Sequence, residues 1–209
     1  MTTVYYKGKM RNVFYTAILL LFTLSTSAQV ALNADGRDPQ YVETIKGRAQ
    51  KIVDGLQLND AKKAESVRNI IANRYFLLND IHAKYGKDQQ DALYAELYKH
   101  HFELQSALAA YLNDQQIDAV KDGMTYGRLK RDYNAMLDMI PTLTDEEKAQ
   151  VLVWLKEARE YAMDGSDSKQ KHFWFDKYRG RTNNWLSARG YDLNKERDAW
   201  MKRNAARSK

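Results

Sequence analysis

Residues 144–163 read TDEEKAQVLVWLKEAREYAM. Apolar side chains recur there at helical spacings of three and four, because Val151, Leu155, Ala158 and Ala162 fall on one face. Thr144 lies three residues before Glu147, which is the spacing of a capping box at a helix N-terminus. The segment therefore predicts a long helix with one buried face.

The same periodicity continues through most of the chain, and no run is rich enough in Val, Ile and Thr to predict a sheet. We therefore predict an all-α fold, a single-domain bundle of about six to seven helices in residues 38–209, after a flexible lead-in at residues 29–37. Besides 144–163, the predicted helical stretches are 38–55, 59–85, 88–112, 113–121, 126–140, 169–189 and 194–207.

The first 28 residues have the three parts of a secretory signal peptide. Basic residues Lys7, Lys9 and Arg11 precede an apolar run at 14–24, and small residues at 26–28 follow it. A membrane-spanning helix needs about 20 apolar residues, so we predict cleavage after Ala28 and no transmembrane span afterwards. The expected location is exported, either periplasmic or secreted.

Charge and composition narrow the function classes. Removal of the three basic residues of the predicted signal peptide lowers the formal net charge from +6 to +3, and no uninterrupted basic stripe remains, so we predict no nucleic-acid partner. The chain has no cysteine, which excludes disulfides and Cys-ligated zinc. Adjacent His100 and His101 point about 100° apart on a helix, so we expect hydrogen-bonded histidines, no metal and no cofactor.

Two interpretations are open for Arg74, and two for the pair Glu157 and Glu160. Arg74 lies on a predicted core stripe, where a buried guanidinium would need a carboxylate beside it. We favour the alternative in which its stem packs on the core and its head reaches water. Glu157 and Glu160 share a helix face, but such pairs usually form a solvated surface, so we predict no catalytic residue.

Aromatic and polar side chains are densest in residues 172–192. Trp174, Tyr178, Arg181 and Trp185 share one face of the predicted helix, and Gly180 suggests the close approach of a backbone or ligand. Rings beside amides and guanidinium groups suit a sugar, although an aromatic stripe is more often core. The candidate sugar-binding residues are Trp174, Tyr178, Arg179, Arg181, Asn183, Asn184, Trp185 and Tyr191, with Arg74, Tyr126 and Arg128 as a possible second wall.

Several of these segments resemble one known family. They are residues 122–127 (DGMTYG), 140–148 (IPTLTDEEK), 157–164 (EAREYAMD), 177–186 (KYRGRTNNWL) and 190–193 (GYDL). Together they are similar to a family of secreted helical proteins of uncharacterised function from Gram-negative bacteria, which carries a sugar-binding label. The resemblance spans residues 41–200 and implies an all-α fold, export and carbohydrate binding, without established catalytic residues.

Two other function classes stay open beside non-catalytic carbohydrate binding. Residues 112–116 (LNDQQ) and 143–147 (LTDEE) resemble helix starts of small periplasmic stress chaperones, which would make this an interaction protein with an unidentified protein partner. A polysaccharide-active enzyme is the third class, and it requires Glu157 or Glu160 to face the aromatic helix across an open cleft.

Overall fold

The computed structural model describes residues 29–207, which fold entirely into helices and their connections. The predicted all-α class is confirmed. The helices of this range are α1 (Pro39–Asp54), α2 (Ala61–Lys84), α3 (Gln90–His100), α4 (Glu103–Ala109), α5 (Asp114–Met124), α6 (Arg128–Met139), α7 (Asp145–Met163), α8 (Ser168–Ala188) and α9 (Leu193–Arg207).

The described residues contain more helices than the six to seven predicted, partly because the stretch 88–112 is divided. The His100 carbonyl accepts a hydrogen bond from Arg74 Nη1 at 2.8 Å. The His101 amide bonds to Tyr98, three residues earlier, rather than continuing the α-helical pattern. A tertiary contact from α2 thus accompanies the break between α3 and α4, and local periodicity carries no sign of it.

Side-chain caps fix several helix starts where the sequence predicts them. Asp38 accepts the Tyr41 amide in front of Pro39, and Asp60 caps α2. Thr144 and Glu147 form the predicted capping box, and Asn113 forms a second one at α5. Each cap satisfies amides that a helix N-terminus leaves without an intrahelical partner.

Four apolar clusters hold the described helices together, and two of them are the largest. The larger cluster joins α1, α2, α4 and α5 around Val67, Ile71, Phe76 and Leu108. The second joins α6, α7 and α8 around Leu155 and Phe175. Contacts between α5 and α7 connect these two clusters, so the described helices form one compact domain.

Two buried arginines, Arg74 and Arg159, form a layer of ion pairs that connects α7 to the helices of the larger cluster. Arg159 is 2% exposed and donates to both Asp118 and Asp122 of α5. Arg74 is 4% exposed, and its Nη2 lies 2.6 Å from Asp164 Oδ1. The favoured interpretation of Arg74, with its head in water, is therefore wrong: the guanidinium is buried and has the carboxylate that burial requires.

Residues 29–37, the predicted lead-in, contact α2 along their length. Asn69 and Asn73 donate side-chain hydrogen bonds to the Val30 and Ala31 carbonyls at 2.8 and 2.9 Å. Val30, Leu32 and Ala34 pack against the larger cluster. The segment thereby covers one edge of the apolar core.

The predicted signal peptide at residues 1–28 lies outside the described residues. Within residues 29–207, none of the helices combines the length and apolar character needed to cross a membrane.

Removal of the Asp164 charge tests the buried layer. Asp164→Asn leaves the Arg74 guanidinium buried without its counter-charge, so we expect the free energy of unfolding to fall by about 3 kcal/mol in urea denaturation. Asp80→Asn is the matched control, because Asp80 pairs with Arg37 but its side chain is 51% exposed; we expect a loss of less than about 1 kcal/mol. Equal losses in the two variants would contradict a special role for the buried pair.

Candidate functional site

The aromatic side chains of α8 pack mainly against rings of α7. Trp174 stacks on Tyr161 with 4.6 Å between ring centroids, and Trp185 meets Trp154 edge-on at 5.2 Å. Tyr178 is buried in the second apolar cluster. The structure therefore brings the three predicted rings onto one seam, where they take part in the α7–α8 contact.

Most of the polar residues predicted for the same site have protein partners. Arg181 lies over the Trp154 ring at 4.8 Å and pairs with Glu157, while Arg179 pairs with Asp176. The Tyr191 hydroxyl donates to Glu147 Oε2 at 2.7 Å, which raises the pKa of Tyr191.

The two predicted asparagines differ in burial. Asn183 is half-buried and Asn184 is exposed. The Asn183 side-chain oxygen is buried without a hydrogen-bond partner among the described residues. The geometry thus offers a ligand few unoccupied groups along α8 besides Asn184.

Gly180 does not mark a close approach of another backbone. A Cβ added there would meet no heavy atom within 4 Å among the described residues. The suggestion that another backbone approaches α8 at this glycine is therefore wrong, and its remaining explanation, contact with a ligand, is testable.

Gly180→Ala tests whether position 180 is unobstructed in the protein without ligand. Ala is favoured over Gly in an exposed helix interior, so we expect the free energy of unfolding to rise by up to about 1 kcal/mol, with a higher melting temperature. Circular dichroism melts measure this change. A lower melting temperature would show that the added methyl group meets an obstacle at this position.

The three residues proposed as a second wall lie in different surroundings. Arg74 is buried, with its guanidinium bound to Asp164 and to the His100 carbonyl. Arg128 does reach α8, where it donates to His172 and Asp176, but these contacts and Asp132 occupy its guanidinium. Tyr126 remains 55% exposed, and its ring lies 5.9 Å from that of His172.

Tyr126 stands at the wall of an open cleft, which we call the Tyr126 cleft. It has a volume of about 820 Å³, which is within the range of small-molecule sites, roughly 300–1,000 Å³. Its lining comes from α1 and its C-terminal end, α2, α5, the α5–α6 connection, the turn between α7 and α8, and the start of α8. The lining residues are Arg48, Lys51, Ile52, Gly55, Leu56, Tyr75, Ala119, Gly123, Tyr126, Gly127, Ser166, Asp167, Ser168 and Lys171.

The backbone beside this cleft is strained at Tyr126. Its φ is +61°, and Gly127 follows with φ +62°. A left-handed conformation is unfavourable for a bulky non-glycine residue, and such strain is concentrated at functional sites. The turn thus holds the tyrosine ring outward at the cleft, where it contributes little to the apolar core.

Lys171 contributes a buried cation to the same cleft. It is 3% exposed, and its Nζ donates to the Ala162 and Met163 carbonyls at 3.3 and 3.4 Å. Burial lowers the pKa of Lys171 to about 8 from 10.5. Between those pH values the unfolded chain binds more protons than the folded one, so the cost of burying this amine is relieved as pH rises.

Close packing of glycines shapes the cleft. A Cβ at Gly123 would lie 3.0 Å from Ile52, so glycine lets α5 approach α1 at the cleft floor. A Cβ at Gly165 would lie 3.2 Å from the Lys171 amide, so glycine also allows the tight turn into α8. The absence of a side chain at Gly123 and Gly165 therefore allows the elements around the cleft to lie close together.

The geometry does not provide the arrangement that the enzyme hypothesis requires. Glu157 pairs with Arg181 of α8 at 3.5 Å, and Glu160 accepts hydrogen bonds from Lys121 at 3.0 Å. His101 is held by Asp164 at 2.7 Å and His100 by Glu103, as expected for hydrogen-bonded histidines. No group of three or more His, Asp or Glu side chains in residues 29–207 is arranged to hold a metal ion.

Comparison with known families assigns the chain to a family. A family model described as a protein of unknown function, DUF3826, matches residues 42–91 and 86–206. The chain belongs to this family. No curated protein matches the sequence. Membership of an uncharacterised family agrees with the resemblance seen in the sequence, while the family's description names no ligand and no reaction.

Most residues of the Tyr126 cleft carry no recognisable signal in the sequence. Tyr126 was included only as part of a second wall, and Arg48, Ser166 and Lys171 were not singled out. These residues lie on separate elements and share no spacing in the sequence. The only local signal was the 122–127 segment, DGMTYG, whose glycines indicate a turn.

Proposed function

We propose that this member of the family binds carbohydrate without catalysing a reaction, and that the Tyr126 cleft is the binding site. The exposed Tyr126 ring, which the strained turn holds at the cleft wall, carries this proposal. An aromatic face packs against the apolar face of a sugar ring, while hydroxyl groups of the sugar need polar partners.

The cleft has polar groups that suit the hydroxyl groups of a sugar. Ser166 and Ser168 are exposed on the turn at one wall, and Arg48 and Lys51 are exposed on α1 at the other. Carbohydrate recognition along α8 remains the alternative location, with Asn184 as an exposed amide. We favour the cleft because its ring and polar groups have fewer competing protein contacts than those of the α7–α8 seam.

Tyr126→Ala tests the proposed function. In a thermal-shift screen against neutral and acidic oligosaccharides, we expect a dose-dependent rise in melting temperature for the wild type. A ligand at 100 times its dissociation constant adds about 2.7 kcal/mol. We expect Tyr126→Ala to weaken binding at least about tenfold and to leave the helical circular dichroism signal unchanged, because the side chain is 55% exposed.

Tyr94→Ala is the matched control, because Tyr94 is 50% exposed on α3 and does not line the cleft. We expect wild-type binding in this variant. Trp185→Ala separates the two locations, since loss of binding there with an intact fold would place the sugar on α8. A wild-type protein that no sugar stabilises at millimolar concentration would count against carbohydrate binding itself.

An interaction protein is the second candidate, and one observation favours it. Tyr94, Tyr98 and Phe102 recur every four residues along α3 and its end, and all three side chains are at least half exposed. Exposed apolar rings on one helix face are typical of contact surfaces. Two results together would favour this function. No sugar would stabilise the protein, and analytical ultracentrifugation would show self-association that Tyr98→Ser abolishes.

We also propose that the protein is exported, on the basis of the signal-peptide pattern in residues 1–28. Cleavage after Ala28 would begin the mature chain at Gln29, whose side chain donates to Glu65. Intact mass spectrometry of protein from fractionated cells measures the N-terminus. We expect the mature form outside the cytoplasm, and a cytoplasmic protein that retains residues 1–28 would contradict export.

A further inference from the structure

We infer that the Tyr126 cleft is selective for acidic sugars, whose carboxylate group is bound between Arg48 and Lys171. This inference rests on the proposed function, and it adds the chemical class of the ligand. It follows from the charges that line the cleft and from the partners that those charges lack.

The cleft has an excess of positive charge. Arg48, Lys51 and Lys171 line it, and Asp167 is its one acidic residue. The Asp167 side chain accepts the Gln170 amide as the N-cap of α8, so part of its hydrogen-bonding capacity is already used. An anionic ligand group therefore meets a net attractive field.

Arg48 is exceptional among the arginines of residues 29–207. Every other arginine in this range has a carboxylate partner or a hydrogen-bond acceptor, including the exposed Arg131 and Arg197 and the half-buried Arg203. Arg48 has neither within the described residues, although ion pairs are frequent in this domain. Its guanidinium is therefore available as a planar donor, which suits a carboxylate through two parallel hydrogen bonds.

Lys171 lacks a counter-charge in contact with its amine. Asp164 and Asp167 influence it from a distance, while Arg74 opposes its charge and Tyr75 presents a ring 6.0 Å away. Its two hydrogen bonds to carbonyls, at 3.3 and 3.4 Å, are long. A buried cation without a paired anion is costly, so a carboxylate in the cleft would stabilise both the ligand and the ammonium group.

The aromatic ring and the cations together distinguish an acidic sugar from a simple anion. Tyr126 offers a surface for the sugar ring, and the serines of the α7–α8 turn offer hydroxyl groups. A free inorganic anion uses only the charges. We therefore expect the cleft to prefer a uronic acid residue over both a neutral sugar and phosphate.

Matched ligands test this selectivity. Isothermal titration calorimetry at pH 7 and constant ionic strength would compare trigalacturonate and trimannuronate with the carboxyl-reduced form of each trisaccharide, and with inorganic phosphate. We expect at least one uronate to bind about tenfold or more tightly than its reduced form, because charge-assisted hydrogen bonds contribute more than neutral ones. Arg48→Gln should abolish the preference.

Lys202→Gln is the control for the loss of one positive charge, since Lys202 is exposed on α9 and does not line the cleft. Equal affinities for a uronate and its reduced form would overturn the acidic specificity and leave carbohydrate binding standing. Phosphate binding as tight as that of the uronates would overturn it in favour of a general anion site. If none of the trisaccharides binds, the acidic specificity and the proposed binding of these sugars both fail.

Discussion

The carboxylate of Asp164, at the end of α7, connects this helix to α2 and to the break between α3 and α4. One oxygen accepts from Arg74 of α2 and the other contacts His101 at the α3–α4 break. Its backbone carbonyl contacts His82, also on α2, at 2.8 Å. Since the Arg74 guanidinium is buried, this carboxylate is required electrostatically, and helix packing alone would not supply the charge.

This junction has a direct consequence for the Tyr126 cleft. The chain turns immediately after Asp164, through Gly165 and residues 166–168, into α8. That turn forms one wall of the cleft and leads to Lys171. The contacts that fix α7 against α2 therefore also fix the distance between this wall and α1, where Arg48 lies. The ion pairs of Asp164 therefore lie directly beside one wall of the cleft.

The aromatic side chains of α8 and the Tyr126 ring have different roles, because the former pack against α7 and the latter is exposed at the cleft. Trp174 and Trp185 pack against rings of α7, and their contacts stabilise the longest helix pair of the second cluster. A turn with left-handed backbone at Tyr126 and Gly127 holds the Tyr126 ring outward, away from the apolar core. Both sets of rings are aromatic residues near arginines in the sequence, so composition does not distinguish them.

Local chemistry let the sequence by itself determine the helical class and most helix boundaries. Asp38, Asp60 and Thr144 cap their helices through atoms three or fewer residues away, and apolar spacing identifies the buried faces. Only the tertiary structure decided that Arg74 is buried and paired, that helix 88–112 breaks at His101, and that Arg48, Tyr126 and Lys171 share one cleft. These features depend on residues from distant helices, whose mutual positions are set by side-chain packing and buried charge, and a local pattern carries no record of either.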